Sequence, residues 1–439
     1  MGENGKRIGL ALSGGGYRAA AYHLGTLRAL HKMGLLEKVD VISSVSGGSI
    51  IAAFYLLHKD EPFEQIEQSF RKCLAHSSLW GAILNLAIVF LLPALLGIFV
   101  SGWFLFLYLL LYWGFYLIPS SKWIALYYDR LFFRKKKLKD LPDSPIAGIN
   151  STNVATGRLF TFSKQDVGGY DYRENGRSII KGEEIPISFA VASSTCVPSI
   201  FSPTQIDKRY YEEGKYKDTL LVDGGLYDNQ GAYILTESTN KLYRVENVVI
   251  SDAGNARPDI KGVRNTICLM FQSIEVLMNR IRTIQIRTNI YNRTKKNSAY
   301  YAYVSLLWSE WNSMVDRFMD NIKKENVPEL VLSAHRISLD DVIAFREKND
   351  QNAKFRIEEC FKKSIGWQVL LDSAPSKELH EIALSVGTNL TPLSKRKIDA
   401  LSAHSEWLTE LQIKVSTQFR ASPFERALFS ALNRVLLIN

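Results

Sequence analysis

Apolar positions in the first 60 residues alternate between short strand-like runs and longer runs with helical spacing. The short runs "RIGLAL" (7–12) and "VISSV" (41–45) predict buried strands, and "YRAAAYHLGTLRALHKMG" (17–34) and "GGSIIAAFYLLH" (47–58) predict helices. A strand, a turn of small residues and a helix therefore occur twice in succession. This repeat is typical of a parallel α/β sheet.

Strand-like runs return after residue 140 and give way to helices after about residue 265. Four such runs begin at residues 146, 158, 219 and 247, and a tyrosine-rich run at 299–307 is a further candidate. The clearest amphipathic helix is predicted at 268–287. We predict one α/β domain formed by residues 1–75 and 140–260, an insertion at 76–139 and a mainly helical C-terminal region at 261–439.

The insertion contains an unusually apolar segment. From Cys73 to Ser121 the chain has no Asp, Glu, Lys or Arg, and the stretches 79–99 and 103–118 approach the roughly 20 residues that a spanning helix needs. Basic residues flank it, with seven of them against two acidic residues in 122–140. We predict a transmembrane hairpin with both ends in the cytoplasm. A partly inserted hairpin and a soluble cap over a lipid-binding groove are the alternatives.

Composition adds a basic character without a nucleic-acid signature. The net charge is +10, but no helix-turn-helix, zinc-finger or RNA-binding motif accompanies it, so anionic lipid head groups are the predicted partner, at the basic run 134–139. No nucleic acid is expected. Four cysteines without CxxC spacing predict reduced core residues and no metal site. The N-terminus has no signal-peptide pattern, which predicts a cytoplasmic start.

A candidate nucleophile follows the second predicted strand. In "SSVSGG" (43–48), Ser46 lies at a junction between strand and helix, where a nucleophile elbow lifts a serine hydroxyl above the sheet. Ser44 and Gly48, two residues before and after it, are small enough for this tight turn. The alternative is an ordinary serine- and glycine-rich loop that caps the helix.

A glycine cluster follows the first predicted strand. Gly14, Gly15 and Gly16 allow backbone N–H groups to converge at a helix N-terminus, where they bind a phosphate or the oxyanion of an acyl-transfer intermediate. A dinucleotide-binding GxGxxG/A motif, with Ala19 as its last position, is an alternative. It is disfavoured because Asp40 precedes the second strand instead of following it.

A candidate base follows a later predicted strand. None of the seven histidines has the loop context of a hydrolase triad, whereas Asp223 ends "LLVD" and is followed by Gly224 and Gly225, which leave room around its carboxylate. A buried carboxylate is basic enough to accept the proton of a serine. A simple Asp-Gly-Gly turn is the alternative. The three motifs together point to a Ser–Asp dyad with an oxyanion hole.

These motifs resemble those of the patatin-like phospholipase family. The resemblance rests on "SGGGYRAA" (13–20), "SSVSGGS" (43–49) and "DGG" (223–225), with support from "FAVASSTCVPSIFSP" (189–203) and, in the C-terminal region, from 386–411. It implies a three-layer α/β/α fold and hydrolysis of lipid acyl esters without metal or cofactor. Ser44 and Ala19 stand where the family pattern has glycine.

The resemblance also implies a role for each site residue. Ser46 is the nucleophile and Asp223 the base, while the amides of Gly15 and Gly16 form the oxyanion hole and Gly14 shapes its turn. Arg18 fixes the glycine loop or binds a lipid phosphate.

The expected function is that of a membrane-associated phospholipase A-like enzyme acting on phospholipid. We expect it at a membrane, in bacteria the inner membrane, with the catalytic domain in the cytoplasm and possible homo-oligomers. A latent membrane-damaging effector and a non-catalytic scaffold are the alternatives. The basic stretch "NRIRTIQIR" (279–287) either binds a ligand or a second subunit, or is a solvated helix face.

Overall fold

The computed structural model describes most of the chain outside the apolar insertion and the C-terminus. It covers residues 7–76, 91, 95, 97–102, 120–175, 177–198, 201–237, 239–254, 266–286, 300–308, 313–327, 329–388 and 390–416.

The strands of the described chain form a central sheet and a small hairpin. They are β1 (Ile8–Leu12), β2 (Val41–Val45), β3 (Ile146–Asn153), β4 (Arg158–Phe162), β5 (Val167–Gly168), β6 (Arg173–Glu174), β7 (Arg177–Ser178), β8 (Leu221–Asp223), β9 (Asn247–Asp252) and β10 (Tyr300–Ser305). Eight of these described strands form the central sheet, in the order β10-β9-β1-β2-β3-β4-β5 with β8 also paired to β3, and β6 and β7 form the hairpin.

The α-helices begin within the first α/β repeat and continue to the end of the described chain. They are α1 (Gly16–Lys32), α2 (Gly47–His58), α3 (Phe63–Leu74), α4 (Ser120–Tyr128), α5 (Ile187–Thr195), α6 (Gly225–Asp228), α7 (Tyr233–Thr236), α8 (Thr266–Ile286), α9 (Ser313–Lys323), α10 (Glu329–Ala334), α11 (Leu339–Lys348), α12 (Gln351–Ile365), α13 (Trp367–Asp372), α14 (Lys377–Ser385) and α15 (Lys395–Val415).

The sheet is mostly parallel, as predicted. Strands β10, β9, β1, β2 and β3 run parallel to one another, whereas β4, β5 and β8 join by antiparallel pairing. The tyrosine-rich run forms β10, so the region after residue 261 contributes an edge strand to the sheet in addition to its helices.

Alternating strand residues enter the core on opposite faces of the sheet. Leu10 and Ile42 pack into the larger cluster with α1, α2 and α15, while Ala11 and Val41 pack into a smaller cluster with α7. This arrangement gives the predicted three layers, because a parallel sheet is stable only when both of its faces are covered.

The C-terminal helical region packs directly on the first helix of the sheet domain. Helix α15 approaches α1 so closely that a Cβ on Gly25 would lie 2.0 Å from the Ser402 carbonyl oxygen, which explains a glycine in the middle of α1. Beside this contact, the guanidinium of Arg28 binds Glu406 at 2.7 Å. The predicted helical C-terminal half is therefore confirmed.

The predicted membrane hairpin lies largely outside the described residues. Within the part of the chain that the structure describes, no helix combines the length and apolar character needed to cross a bilayer.

Cys196 is buried as predicted, but Cys73 and Cys360 are only partly buried, and all three thiols are free.

Candidate active site

The strand register brings Ser46 and Asp223 together. Strand β3 is eight residues long and pairs with the five-residue β2 only as far as Asn150, which lies opposite Val45. Beyond this point the same edge of β3 pairs with β8, so Ser151 lies opposite Asp223. Because β8 runs antiparallel to β3, strands β2 and β8 meet end to end. The residues at their carboxyl ends are therefore neighbours.

Ser46 occupies a strained turn between β2 and α2. Its φ of 50° and ψ of −122° are rarely adopted by residues with a side chain. The turn leaves no room after the serine, since a Cβ on Gly47 would lie 2.0 Å from the Gly16 carbonyl oxygen and one on Gly48 would lie 2.4 Å from that of Leu12. These are the features of a nucleophile elbow.

Ser194 at the end of α5 supports this turn. Its hydroxyl accepts a hydrogen bond from the Ser46 amide at 2.8 Å and donates one to the Asn150 carbonyl oxygen at 2.6 Å. The hydroxyl therefore links the elbow to β3. The sequence analysis did not assign Ser194 a role, although the small-residue stretch that contains it was part of the family resemblance.

Asp223 is a buried carboxylate with one oxygen fixed and the other available. Oδ1 accepts a hydrogen bond from the Gly225 amide at 2.7 Å, whereas Oδ2 has no hydrogen-bond partner in the described chain. Burial raises the pKa of Asp223 to about 6, while the Gly225 amide and the nearby Ser46 hydroxyl act to lower it. The Ser46 hydroxyl is thus close enough to lower the pKa of the Asp223 carboxylate, although the two groups do not have full hydrogen-bond geometry. Such contacts often tighten only when substrate binds.

The glycine loop lies directly against the elbow. A Cβ on Gly14 would be 3.2 Å from Ser46 Cβ. The Gly14 amide donates to the Asn229 carbonyl oxygen at 3.0 Å, so it does not serve an oxyanion. Gly15 (φ 138°) and Gly16 (φ 60°) start α1 in backbone conformations that favour glycine, and their amides belong to the helix N-terminus, where anions bind.

Asn229 is a site residue that the sequence analysis missed. Its Oδ1 is buried without a hydrogen-bond partner among the described residues. That atom would lie 2.3 Å from a Cβ on Gly14 and 2.7 Å from one on Gly225, so it sits between the glycine loop and the loop after Asp223. No motif marked it in advance, because a lone asparagine six residues after an aspartate carries no chemical pattern.

Arg18 lies inside the protein. Only 3% of its surface is exposed, and Nη1 donates to the Val386 carbonyl oxygen at 3.4 Å. Its Nη2 would be 3.0 Å from a Cβ on Gly15. This placement supports a role in fixing the glycine loop and gives no support to contact with a lipid phosphate.

His23 in α1 binds the backbone just before the glycine loop. His23 is fully buried and forms hydrogen bonds with the Ser13 carbonyl oxygen at 2.9 Å and the Ser251 hydroxyl at 2.8 Å. Burial lowers its pKa to about 4, which keeps the ring neutral. Within the described ranges, no group of three or more His, Cys, Asp or Glu side chains is arranged to hold a metal ion.

Comparison with known proteins matches the part of the chain that contains this site. The model of the patatin-like phospholipase family matches residues 10–236, from β1 to α7. The chain is also 36% identical over 83 residues to lysophospholipase NTE1 of Pyricularia oryzae, a match that covers 19% of this chain and 5% of that protein.

Two solved structures align with a larger share of the chain at low identity. Human GIVD cytosolic phospholipase A2 in complex with methyl gamma-linolenyl fluorophosphonate aligns with 94% of this chain and 59% of its own, at 16% identity and a TM-score of 0.45. VipD from Legionella pneumophila aligns with 95% of this chain and 88% of its own, at 13% identity and a TM-score of 0.31. Because the family model matches more than half of the residues, the chain belongs to the patatin-like phospholipase family.

Proposed function

We propose that the chain is a membrane-associated serine lipid acyl hydrolase of the phospholipase A type, with Ser46 as nucleophile and Asp223 as base. The observation that carries the proposal is the buried Asp223 carboxylate, whose Oδ2 has no hydrogen-bond partner in the described chain and lies next to a serine on a strained turn. Membership of the patatin-like phospholipase family supports a lipid ester as substrate.

In the first half of the reaction, Ser46 Oγ attacks the carbonyl carbon of the ester while Asp223 Oδ2 accepts the hydroxyl proton. The negative charge moves to the former carbonyl oxygen, which accepts hydrogen bonds from the amides of Gly15 and Gly16. These donors stabilise the charge as it develops. The tetrahedral intermediate collapses, the bond to the alcohol breaks, and the alcohol leaves with the proton from Asp223. An acyl-enzyme remains.

In the second half, water replaces the alcohol. Asp223 accepts a proton from the water as its oxygen attacks the acyl carbonyl carbon, and the same amides bind the second oxyanion. Collapse breaks the bond to Ser46 Oγ, which regains a proton from Asp223, and the fatty acid leaves. A carboxylate pKa raised by burial suits this role, because it lies closer to neutral pH than that of an exposed aspartate.

The membrane part of the proposal rests on the sequence around the insertion. The uncharged stretch from Cys73 to Ser121 supports attachment to a membrane, in bacteria the inner membrane, with the site on the cytoplasmic side. The basic run after it supports contact with anionic head groups. Two of its lysines, Lys137 and Lys139, bind Glu184, so exposed Arg134 and Lys135 carry more of this contact.

The experiment that tests the proposed function is hydrolysis by Ser46→Ala. We expect the detergent-purified wild-type protein to hydrolyse fluorogenic acyl esters and phospholipids in mixed vesicles. The variant should lose activity by about 10⁴-fold or more, because no other group replaces the nucleophile. Hydrolysis is followed by ester fluorescence and by release of fatty acid.

Ser44→Ala is the matched control. Ser44 is a buried neighbour whose hydroxyl donates only to the Gly148 carbonyl oxygen at 3.3 Å, so its loss should cost about 1 kcal/mol of stability and leave turnover intact. Equal activity of wild type and Ser46→Ala would contradict the proposed nucleophile.

A further inference from the structure

Helix α8 packs its inner face against the candidate active site. Met278 Cε would lie 2.4 Å from a Cβ on Gly225, two residues after Asp223. Four residues further along the helix, Arg282 Nε donates to Asp252 Oδ2 at 2.6 Å, and both of these side chains are buried. The helix is therefore held beside the loop that positions the proposed base.

The outer face of α8 exposes large apolar side chains. Leu269, Val276, Leu277 and Ile284 are 56%, 52%, 59% and 49% exposed. At 3.6 residues per turn, these positions fall within an arc of about 100°. Arg280 lies in the same arc and is also exposed. An apolar stripe of this kind on a helix marks a binding surface more often than scattered single residues do.

The sequence around this helix is strongly basic. Residues 255–299 contain nine Lys or Arg and two Asp or Glu. Of the basic residues, Arg282 is buried in its ion pair with Asp252. By contrast, residues 351–372 in the C-terminal helices contain four basic and three acidic residues, although Phe355 and Val369 there are also exposed. Within α8 the charged residues are Glu275, Arg280 and Arg282, so the excess of positive charge lies in the sequence on either side of the exposed apolar residues, a feature that residues 351–372 lack.

We propose that the outer face of α8 binds the surface of an anionic lipid bilayer and so holds the site next to its ester substrate. The inference rests on the proposed function, because it requires the substrate to be a membrane lipid. An amphipathic helix with basic residues binds the head-group region of such a bilayer. A second copy of the chain is a poorer occupant, because its α8 is flanked by the same basic sequence, which would repel this face.

The test is a fluorescent probe on α8 in the full-length chain. An environment-sensitive fluorophore is attached through Leu277→Cys, and the matched control carries it through Val369→Cys, a helical position whose side chain is also largely exposed. Cys73, Cys268 and Cys360 are changed to serine, whereas the buried Cys196 is kept. Ser46→Ala is included in both proteins, so that binding is measured without hydrolysis.

We expect the emission at position 277 to shift to shorter wavelength when the protein binds vesicles of phosphatidylcholine with phosphatidylglycerol, and to shift less with phosphatidylcholine alone. Emission at position 369 should stay constant. Arg280→Glu should weaken the response to phosphatidylglycerol. If the insertion at 76–139 alone attached the protein to the vesicle, position 277 would remain in water and its emission would not shift.

Three outcomes would overturn the proposal. They are an unchanged emission at position 277 with vesicles present, an equal shift at both positions, and a shift at 277 that grows with protein concentration without lipid. The last outcome would identify a second copy as the occupant. None of these results bears on the proposed nucleophile, which fails only if Ser46→Ala retains hydrolysis.

Discussion

Two buried aspartates at strand ends share one local geometry but differ in their partners. Asp223 ends β8 and Asp252 ends β9, and in each case Oδ1 accepts a hydrogen bond from the amide of a glycine two residues later, at 2.7 Å and 2.8 Å. The second oxygen differs. Oδ2 of Asp252 accepts hydrogen bonds from Arg282, Tyr303 and Gln230, whereas that of Asp223 has no partner among the described residues.

The difference in partners reverses the effect of burial on the carboxylate pKa. Burial is the largest single effect on both groups and acts to raise the pKa, and for Asp223 it leaves the pKa at about 6. For Asp252 the charge of Arg282 and the hydrogen bonds from Tyr303, Gly254 and Arg282 together outweigh burial, so the pKa is lowered. A buried carboxylate paired with a cation is a poor base. The missing cation therefore makes Asp223, and not Asp252, suitable for proton transfer.

The largest expected effect is that of Asp223→Asn on activity. An amide cannot accept the serine proton, so kcat should fall by about 10² to 10⁴-fold. Stability should change in the opposite direction. The raised pKa means that ionised Asp223 destabilises the folded state above pH 6, so Asn should add up to roughly 3 kcal/mol at pH 8. This gain should shrink as the pH falls from 6 toward 4.

Ester hydrolysis measures the fall in kcat of Asp223→Asn, and denaturant unfolding of the same preparation measures the change in its stability. A variant that is inactive because it is unfolded would show a loss of stability, which is the reverse of the expected result. Full activity in Asp223→Asn would remove this residue from the mechanism.

Asp252→Asn should destabilise the fold without a direct effect on the chemical step. The substitution leaves the buried guanidinium of Arg282 without its carboxylate, which should cost about 3 to 5 kcal/mol in the free energy of unfolding. Activity should decline with the folded fraction. Unfolding in urea measures the effect, and Glu378→Gln, which breaks an exposed ion pair with Arg396, should cost less than about 1 kcal/mol. Equal losses in the two variants would mean that the Asp252 network is not stabilising.

Gly15→Ala should reduce turnover less than loss of the base does. Gly15 has a φ of 138°, and an added Cβ would lie 3.0 Å from Arg18 Nη2, so the loop must move its amides. Displaced oxyanion donors typically cost about 10² to 10³-fold in kcat. Gly34→Ala is the control, because Gly34 also has a positive φ but a Cβ there would meet nothing within 4 Å. A similar kcat in both variants would place the oxyanion hole elsewhere.

The order of the motifs along the chain predicted the fold well because each motif is local. Short apolar runs predicted β1, β2 and β9, and small residues at 43–48 predicted the turn at Ser46, where a Cβ on Gly47 has no space. Whether a strand pairs in parallel or antiparallel orientation was less predictable. Antiparallel pairing of β8 with β3 depends on contacts between residues 68 to 72 positions apart, which local pattern does not encode.

The site chemistry was only partly predictable for the same reason. "LLVDGG" and "VISDAG" are both strand ends with an aspartate and a nearby glycine, and the difference between them is Arg282, which reaches Asp252 from α8. Ser194 and Asn229 likewise act through contacts made by the folded chain. The strand-end motif and the family resemblance both pointed to Asp223, and the structure adds a physical reason to propose it as the base.

The most direct test of the central claim is the pH dependence of kcat/KM on a soluble acyl ester. Asp223 must be ionised to accept the serine proton, so log kcat/KM should fall by one unit per pH unit below an acid limb at about pH 6. An acid limb near pH 4, the ordinary value for an aspartate, would contradict the account, because it would mean that the base is a solvated or cation-paired carboxylate.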